Sequence, residues 1–281
     1  MSVKYELIIC EKPNAAKKVA EALADKKVTK KTIGKVSYYE LEHNGKSIVV
    51  ACAVGHLFNL AEKDKKKGWS YPIFSYEWKP SYLVSKSALF SKAYVDVIKK
   101  LSKDAASVIN ACDFDIEGST IGWNIIRFIC DKKDGKRMKY STLTKDELVE
   151  SYEHAMSHLD FPQIESGVTR HSLDWLWGLN LSRALTLSLK NSTGMFKLLS
   201  TGRVQGPTLK ILCEREKEIS VFKPIPFWEI ELLGETKKKE NISAWHKQDK
   251  FWEKDKSEIV LKNCNGKKAV VSNIGLKEFK Q

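Results

Sequence analysis

The sequence holds no apolar run close to the ~20 residues that cross a bilayer. Its start, Met1-Ser-Val-Lys-Tyr-Glu6, meets charge before any apolar core can form, so no secretory leader is expected there. None of the six cysteines, at 10, 52, 112, 130, 213 and 264, pairs as C-x-x-C, which excludes a zinc ribbon or a thioredoxin-type motif. Cys10, Cys52 and Cys112 fall in apolar stretches and read as reduced, buried thiols of a cytosolic protein. Internal repeats and low-complexity segments are missing as well. Acidic residues are in deficit: 35 Asp and Glu stand against 48 Lys and Arg, a net charge of +13, which points to a polyanionic partner. The basic runs Lys65-Lys66-Lys67 and Lys237-Lys238-Lys239 lie in polar, loop-like sequence with no apolar face. A membrane surface would need a basic amphipathic helix, so the expected partner is nucleic acid and no membrane.

What is present is an ordinary globular composition, 42% hydrophobic and 30% charged over 281 residues, enough for about two domains. Up to about residue 158, short buried strands alternate with helices. Leu7-Ile8-Ile9-Cys10, Ile48-Val49-Val50-Ala51-Cys52 and Val108-Ile109-Asn110-Ala111-Cys112 are continuous apolar runs, as in strands covered on both faces. Pro13 marks the first turn of a helix, and Ala16, Val19, Ala20 and Leu23 follow at helical spacing. Two further sets, Phe90, Tyr94, Val97, Ile98, Leu101 and Ile121, Ile125, Phe128, Ile129, predict two more helices. Thr144-Lys-Asp-Glu147 has the spacing of a capping box, with Leu148 and Tyr152 on the inner face. Such alternation predicts an α/β domain with a mostly parallel sheet over 1–158. Residues 159–222 read as all-α, interrupted by the loop Ser200–Pro207, with Trp175 and Trp177 expected in the core. From 223 to 281 the pattern turns β-rich, with Trp228-Glu-Ile230-Glu-Leu232 alternating and Ala269-Val270-Val271 a candidate strand.

Glu11 follows the first buried strand and Asp113 the third. Ligands of open parallel sheets bind beyond the carboxyl ends of strands, so two distant segments deliver carboxylates to one edge. Asp113, Asp115 and Glu117 are spaced by two, and in an extended segment alternate side chains face the same way. Three carboxylates facing one point resist joint ionisation unless a cation joins them. Oxygen ligands without His or Cys favour a hard ion, Mg²⁺ first. Gly118 permits a tight turn into the next helix, and Lys12, opening a helix N-terminus, is a seat for a phosphate. Acidic residues after strands also serve as plain loop and N-cap residues.

These motifs resemble the Toprim module, and the rest of the chain resembles type IA DNA topoisomerases. Gly55-His56-Leu57 after the second strand, Asp174-Trp175-Leu-Trp-Gly178-Leu-Asn180-Leu-Ser182-Arg183-Ala184, and Ser200-Thr-Gly202-Arg203-Val204-Gln205-Gly-Pro207-Thr208 follow in that family's order. The wording is similar to its topoisomerase III and archaeal branch. The resemblance implies a Toprim domain, the first part of a helical DNA-binding domain and the start of a β arch. It implies ATP-independent cleavage and rejoining of single-stranded DNA through a tyrosine. In that scheme Glu11 is general acid, Lys12 stabilises the phosphate, and Asp113, Asp115 and Glu117 hold Mg²⁺. Arg203, Gln205, Arg183 and Arg170 contact DNA; His56 joins them or is a packed structural histidine. A cytoplasmic, nucleoid-associated setting follows from the same resemblance.

Two departures stand out. Ser119 replaces a second acid that the family commonly carries after Glu-Gly. The nucleophile belongs to a Tyr-x-Arg segment, yet none of the nine tyrosines has Arg two residues on. The chain is therefore expected to carry the acid and metal half of a site. Alone it should bind single-stranded DNA and Mg²⁺ weakly without relaxing supercoils, with an incompletely ordered arch, unless a second polypeptide supplies the tyrosine. A primase-like, nuclease-like or recombination-mediator Toprim protein, a non-catalytic DNA-binding remnant and a phosphotransfer receiver are the competing readings.

Overall fold

The computed structural model describes residues 4–64 and 68–275, so the run Lys65–Lys67 lies outside the described residues. The chain divides into two compact units, Met1–Thr208 and Leu209–Gln281.

The first unit is built on a six-stranded sheet. Its central strand β1 (Tyr5–Cys10) has Leu7, Ile8, Ile9 and Cys10 fully buried, as a strand covered on both faces requires. Helix α1 (Pro13–Leu23) starts on Pro13. Strands β2 (Thr29–Ile33), β3 (Val36–His43) and β4 (Lys46–Cys52) form an antiparallel meander. Strands β5 (Phe58–Glu62) and β6 (Tyr76–Pro80) make a separate two-stranded sheet. The short α2 (Ser81–Val84) and α3 (Ser91–Ser102) lead to β7 (Ala105–Asn110), α4 (Ile116–Phe128), β8 (Lys136–Arg137) and α5 (Lys145–Glu153). The order is β2-β3-β4-β1-β7-β8, with β1 parallel to β4 and β7, and β7 parallel to β8. One face of the sheet packs Leu7, Ile9, Val49 and Ala51 against Val97, Ile98, Ile121 and Ile125 of α3 and α4. The other packs Ile8, Cys10, Val50 and Cys52 against Val19 and Leu23 of α1 and Leu148 of α5. This is the expected α/β layering, with a mostly parallel sheet.

Several local expectations change. The meander strands β2 and β3 were hidden in sequence because β2 is nearly all exposed Thr and Lys. The capping box does not close: Thr144 makes no side-chain cap bond, and Glu147 accepts instead from the amides of Ser141 and Thr142. The 33-residue α6 (Phe161–Thr193) follows, capped by Asp160, whose carboxylate accepts from the Gln163 amide, and ended by Gly194 at φ 74. Trp177 on this helix is half exposed rather than in the core. Helix α7 (Gln205–Val221) runs from the first unit into the second.

The second unit holds the antiparallel pair β9 (Glu231–Glu235) and β10 (Asn241–Trp245), and α8 (Lys254–Cys264). Ala269-Val270-Val271 forms no strand, and Val270 and Val271 stand exposed. No helix of the described residues is long and apolar enough to cross a membrane.

Candidate active site

The carboxyl ends of β1 and β7 lie side by side because those strands pair in parallel, with Ile9 opposite Asn110. Glu11 and Asp113 therefore leave the sheet at the same edge. Lys12 joins them: its ammonium lies 2.9 Å from Asp113 Oδ2 and 3.3 Å from Glu11 Oε1. Burial, reinforced by the charge of Asp113, raises the pKa of Glu11, while Lys12 opposes the shift. The hydrogen bond to Asp113 and the charge of Glu11 raise the pKa of Lys12 in turn.

The acidic run is not an extended segment throughout, and here the sequence reading is corrected. Asp115 is the N-cap of α4, its Oδ1 accepting from the Gly118 amide at 2.7 Å, and Glu117 lies in the first helical turn. Extended spacing fails because this amide captures the Asp115 side chain and starts the helix. Gly118 is needed for closeness rather than for φ: a Cβ there would lie 2.1 Å from the Asp113 carbonyl oxygen. Glu117 consequently points to another set of partners. His171 Nε2 lies 2.8 Å and His56 Nε2 3.1 Å from the same oxygen, Oε2, while Arg170 Nε is 3.8 Å from Oε1. Burial works against ionisation of Glu117, yet the His171 hydrogen bond and the His171, His56 and Arg170 charges prevail and lower its pKa. Burial, then the neighbouring His171, lowers that of His56. Among the described residues, His56, Glu117 and His171 form the group whose ligand atoms all lie within 4.8 Å of one another. Asp113, Asp115 and Glu117 do not meet that measure together.

Three features of the chain make this arrangement. Val54 at φ 56 and Gly55 at φ 88 turn the backbone after β4 and bring His56 over the site, a conformation costly for a β-branched residue. The Gly55 amide donates to the Glu11 carbonyl, tying this turn to β1. A Cβ on Gly167 would lie 2.1 Å from Thr120 Oγ1 and 2.6 Å from the Ile116 carbonyl oxygen, so Gly167 lets α6 rest on the first turn of α4. Arg170 and His171, one turn on, then reach Glu117.

Behind the acids stands Arg137, a fully buried guanidinium that the sequence reading missed. It donates to the carbonyls of Cys112 at 2.6 Å and Asp113 at 2.7 Å. Alternation concealed it: in Arg137-Met138-Lys139-Tyr140 the buried Met138 and Tyr140 alternate with exposed Lys139, a pattern that would set Arg137 on the exposed side. His171 had no local signal either.

Of the remaining expected DNA-contacting residues, Arg203 bonds Asp174 on α6 through Nε at 2.6 Å and stays half exposed. That bond is the first cause of the lowered Asp174 pKa. Arg170 lies 3.8 Å from the same Asp174, so charged groups run from Glu117 through Arg170 and Asp174 to Arg203. Gln205 is exposed at the start of α7. Arg183 is engaged otherwise than expected. It pairs with Glu62 and donates to the Ser70 carbonyl, and its side chain is only 12% exposed. With Asn180, which bonds both backbone groups of Ile73, it fastens the segment around 70–73 to α6. Tyr140 lines the cleft beside Asp113, but its hydroxyl donates to the Ala111 carbonyl, and burial pushes its pKa far up.

The comparisons with known proteins agree with this anatomy. The model of the Toprim domain matches residues 6–143, and that of the family described as DNA topoisomerase matches residues 158–281. DNA topoisomerase 1 of Pyrococcus furiosus is 44% identical over 97% of this chain and 26% of its own length. The enzyme of the same name from Methanocaldococcus jannaschii is 44% identical over 94% of this chain and 33% of its own. DNA topoisomerase 3 of Bacillus subtilis is 28% identical over 95% of this chain and 35% of its own. The chain thus spans about a quarter to a third of these relatives. The solved full-length topoisomerase I of Thermotoga maritima shares the fold over 90% of this chain and 37% of its own, with a TM-score of 0.57 at 21% identity. With a Toprim domain at its head and the topoisomerase segment after it, the chain belongs to the type IA DNA topoisomerase family.

Proposed function

We propose that this chain supplies the acid and metal half of a centre that cleaves and rejoins one DNA strand, with the nucleophilic tyrosine brought from sequence outside it. The observation that carries the reading is the Glu11–Lys12–Asp113 cluster at the joined ends of β1 and β7. A raised pKa keeps the Glu11 proton to higher pH than on an ordinary glutamate, which suits Glu11 to act as general acid toward a departing 3′ oxygen. Lys12, more than half exposed, turns its ammonium from Asp113 toward a phosphate.

By ligand type the acidic run suits a hard divalent ion, although its three carboxylates do not converge on one point without it. Asp113, Asp115 and Glu117 offer carboxylate oxygens from one loop-to-helix segment, and the Asp113 and Glu117 side chains are reached by water. These residues would hold Mg²⁺, which when bound supplies positive charge to position the phosphate. Arg203, Gln205 and Arg170 are the contacts to the DNA backbone. Arg203 exchanges Asp174 for a phosphate; Arg183 and His56 act at one remove, by holding the 70–73 segment and Glu117. The topoisomerase match over 158–281 favours this reading over a free-standing Toprim nuclease or primase. A nucleoid setting follows from it.

The test is binding and adduct formation on a single-stranded oligonucleotide. The chain alone should bind with Mg²⁺ and leave no covalent adduct after denaturation. Joined to a tyrosine-bearing remainder of the family type, it should form one that Glu11→Gln and Asp113→Ala abolish. Relaxation of supercoiled DNA by the chain alone counts against the proposal.

A further inference from the structure

Phe114 sits between the two aspartates of the acidic run, where no catalytic role claims it. The residue is 37% exposed. A lone exposed apolar side chain needs no explanation, but this one is held. The buried Arg137 guanidinium carbon lies 5.2 Å from the ring centroid and the exposed Lys139 ammonium 4.8 Å from it. Arg137 is itself fixed by the carbonyls of Cys112 and Asp113, so this cation stays at the ring, whereas the exposed Lys139 ammonium is free to swing aside for a base. Phe114 lines a cleft of about 460 Å³ together with Lys12, Asp113, Asp115, Tyr140 and Ser141.

That volume lies in the range of small-ligand clefts, ~300–1,000 Å³, and is far too small for a duplex. The cleft holds a flat ring and the Lys12 ammonium beside the acids, and the Lys139 ammonium stands at the ring. They match the parts of a single nucleotide: a base with a π-face and an anionic linkage. Sequence-tolerant recognition of single strands combines aromatic stacking with cations along the backbone.

We propose that Phe114 is a stacking platform for one unpaired nucleobase of single-stranded DNA, the base next to the phosphate that Lys12 contacts. The site deepens the proposed function and rests on it. It adds a base-holding contact inside the acid cluster, so that the scissile linkage is positioned from its base as well as from its phosphate.

The experiment is anisotropy titration of the whole chain with a labelled single-stranded oligonucleotide at fixed salt. It is repeated with a series of oligonucleotides, each carrying one abasic position. Phe114→Ala should weaken binding about tenfold, the effect of losing one stacked base. Phe114→Tyr should keep it. Phe114→Leu preserves apolar bulk and lacks the flat ring; it should melt like the unaltered chain yet bind like Phe114→Ala. One abasic position should cost the unaltered chain about the same factor and cost Phe114→Leu nothing further. Phe114→Leu binding at full strength, or an abasic penalty that persists in it, overturns the platform while leaving DNA binding intact. Failure of the unaltered chain to bind any oligonucleotide overturns the platform and the DNA-handling reading together.

Discussion

Glu11 owes its raised pKa first to burial and then to Asp113 across the strand ends. An acid whose folded pKa exceeds its unfolded value binds its proton more tightly in the folded state. Its stabilising contribution is full below the unfolded value of about 4.3 and falls as pH climbs through the folded one. The proton-donating form survives over the same window, so general-acid help should fade on the alkaline side of an ordinary glutamate. Carboxyl ¹³C NMR should show Glu11 titrating above the usual range, and Asp113→Asn should bring its midpoint down part of the way, leaving the share due to burial. A Glu11 midpoint at or below 4.3, or one indifferent to Asp113→Asn, removes the basis for the general-acid role. At this scale the sequence disclosed Glu11, Lys12 and Asp113, since a polar residue directly after a buried strand has one place to go. It could not disclose His171, which reaches Glu117 from a helix 54 positions away and belongs to no local pattern.

Among elements, the contact of α6 with α4 decides where Glu117 points. Gly167 makes that contact possible, and the obstacle to a side chain there includes a backbone oxygen that cannot swing aside. Alanine in place of glycine favours a helix interior by about 1 kcal/mol. Overpacking costs about 1–3 kcal/mol, and the immovable backbone oxygen puts this site at the upper end, so Gly167→Ala should lose up to about 2 kcal/mol net in denaturant unfolding. The His171 ring resonances should shift as the helix lifts from Glu117. A variant as stable as the parent, with unmoved His171 signals, means that the helices are not in close contact at Gly167. The buried strands and the helices packed on them were legible because burial on both faces leaves an unbroken apolar run. Strands β2 and β3 and the β5–β6 pair were not, since their polar residues interrupt the pattern. The extended reading of Asp113–Glu117 failed because a side chain that caps a helix looks, in sequence, the same as one that binds an ion.

At the level of the whole molecule, the two units differ in how they hold themselves together. The first has both faces of its sheet sealed by helices, with two clusters of fully buried Ile, Leu and Val. In the second, Phe251 is the buried hydrophobic residue among those described, paired through its backbone with Trp228. Leu233, Trp245, Ile259 and Val270 are exposed there, and every residue of β9 and β10 is exposed. Local opening is governed by buried apolar contact and by how far backbone hydrogen bonds are shielded from water. The amides of β1, β4 and β7 should therefore exchange only through global unfolding. Those of β9 and β10 should exchange orders of magnitude faster, through a local opening that leaves the sheet intact. Hydrogen exchange followed by mass spectrometry across a low-denaturant series tests this. The β9–β10 peptides should show rates insensitive to denaturant, and the β1 and β7 peptides a steep dependence that merges with global unfolding. Equal protection in both units would mean that β9 and β10 are shielded by contacts their exposure does not show. The acid cluster lies in the protected unit, so its geometry should persist while the second unit opens.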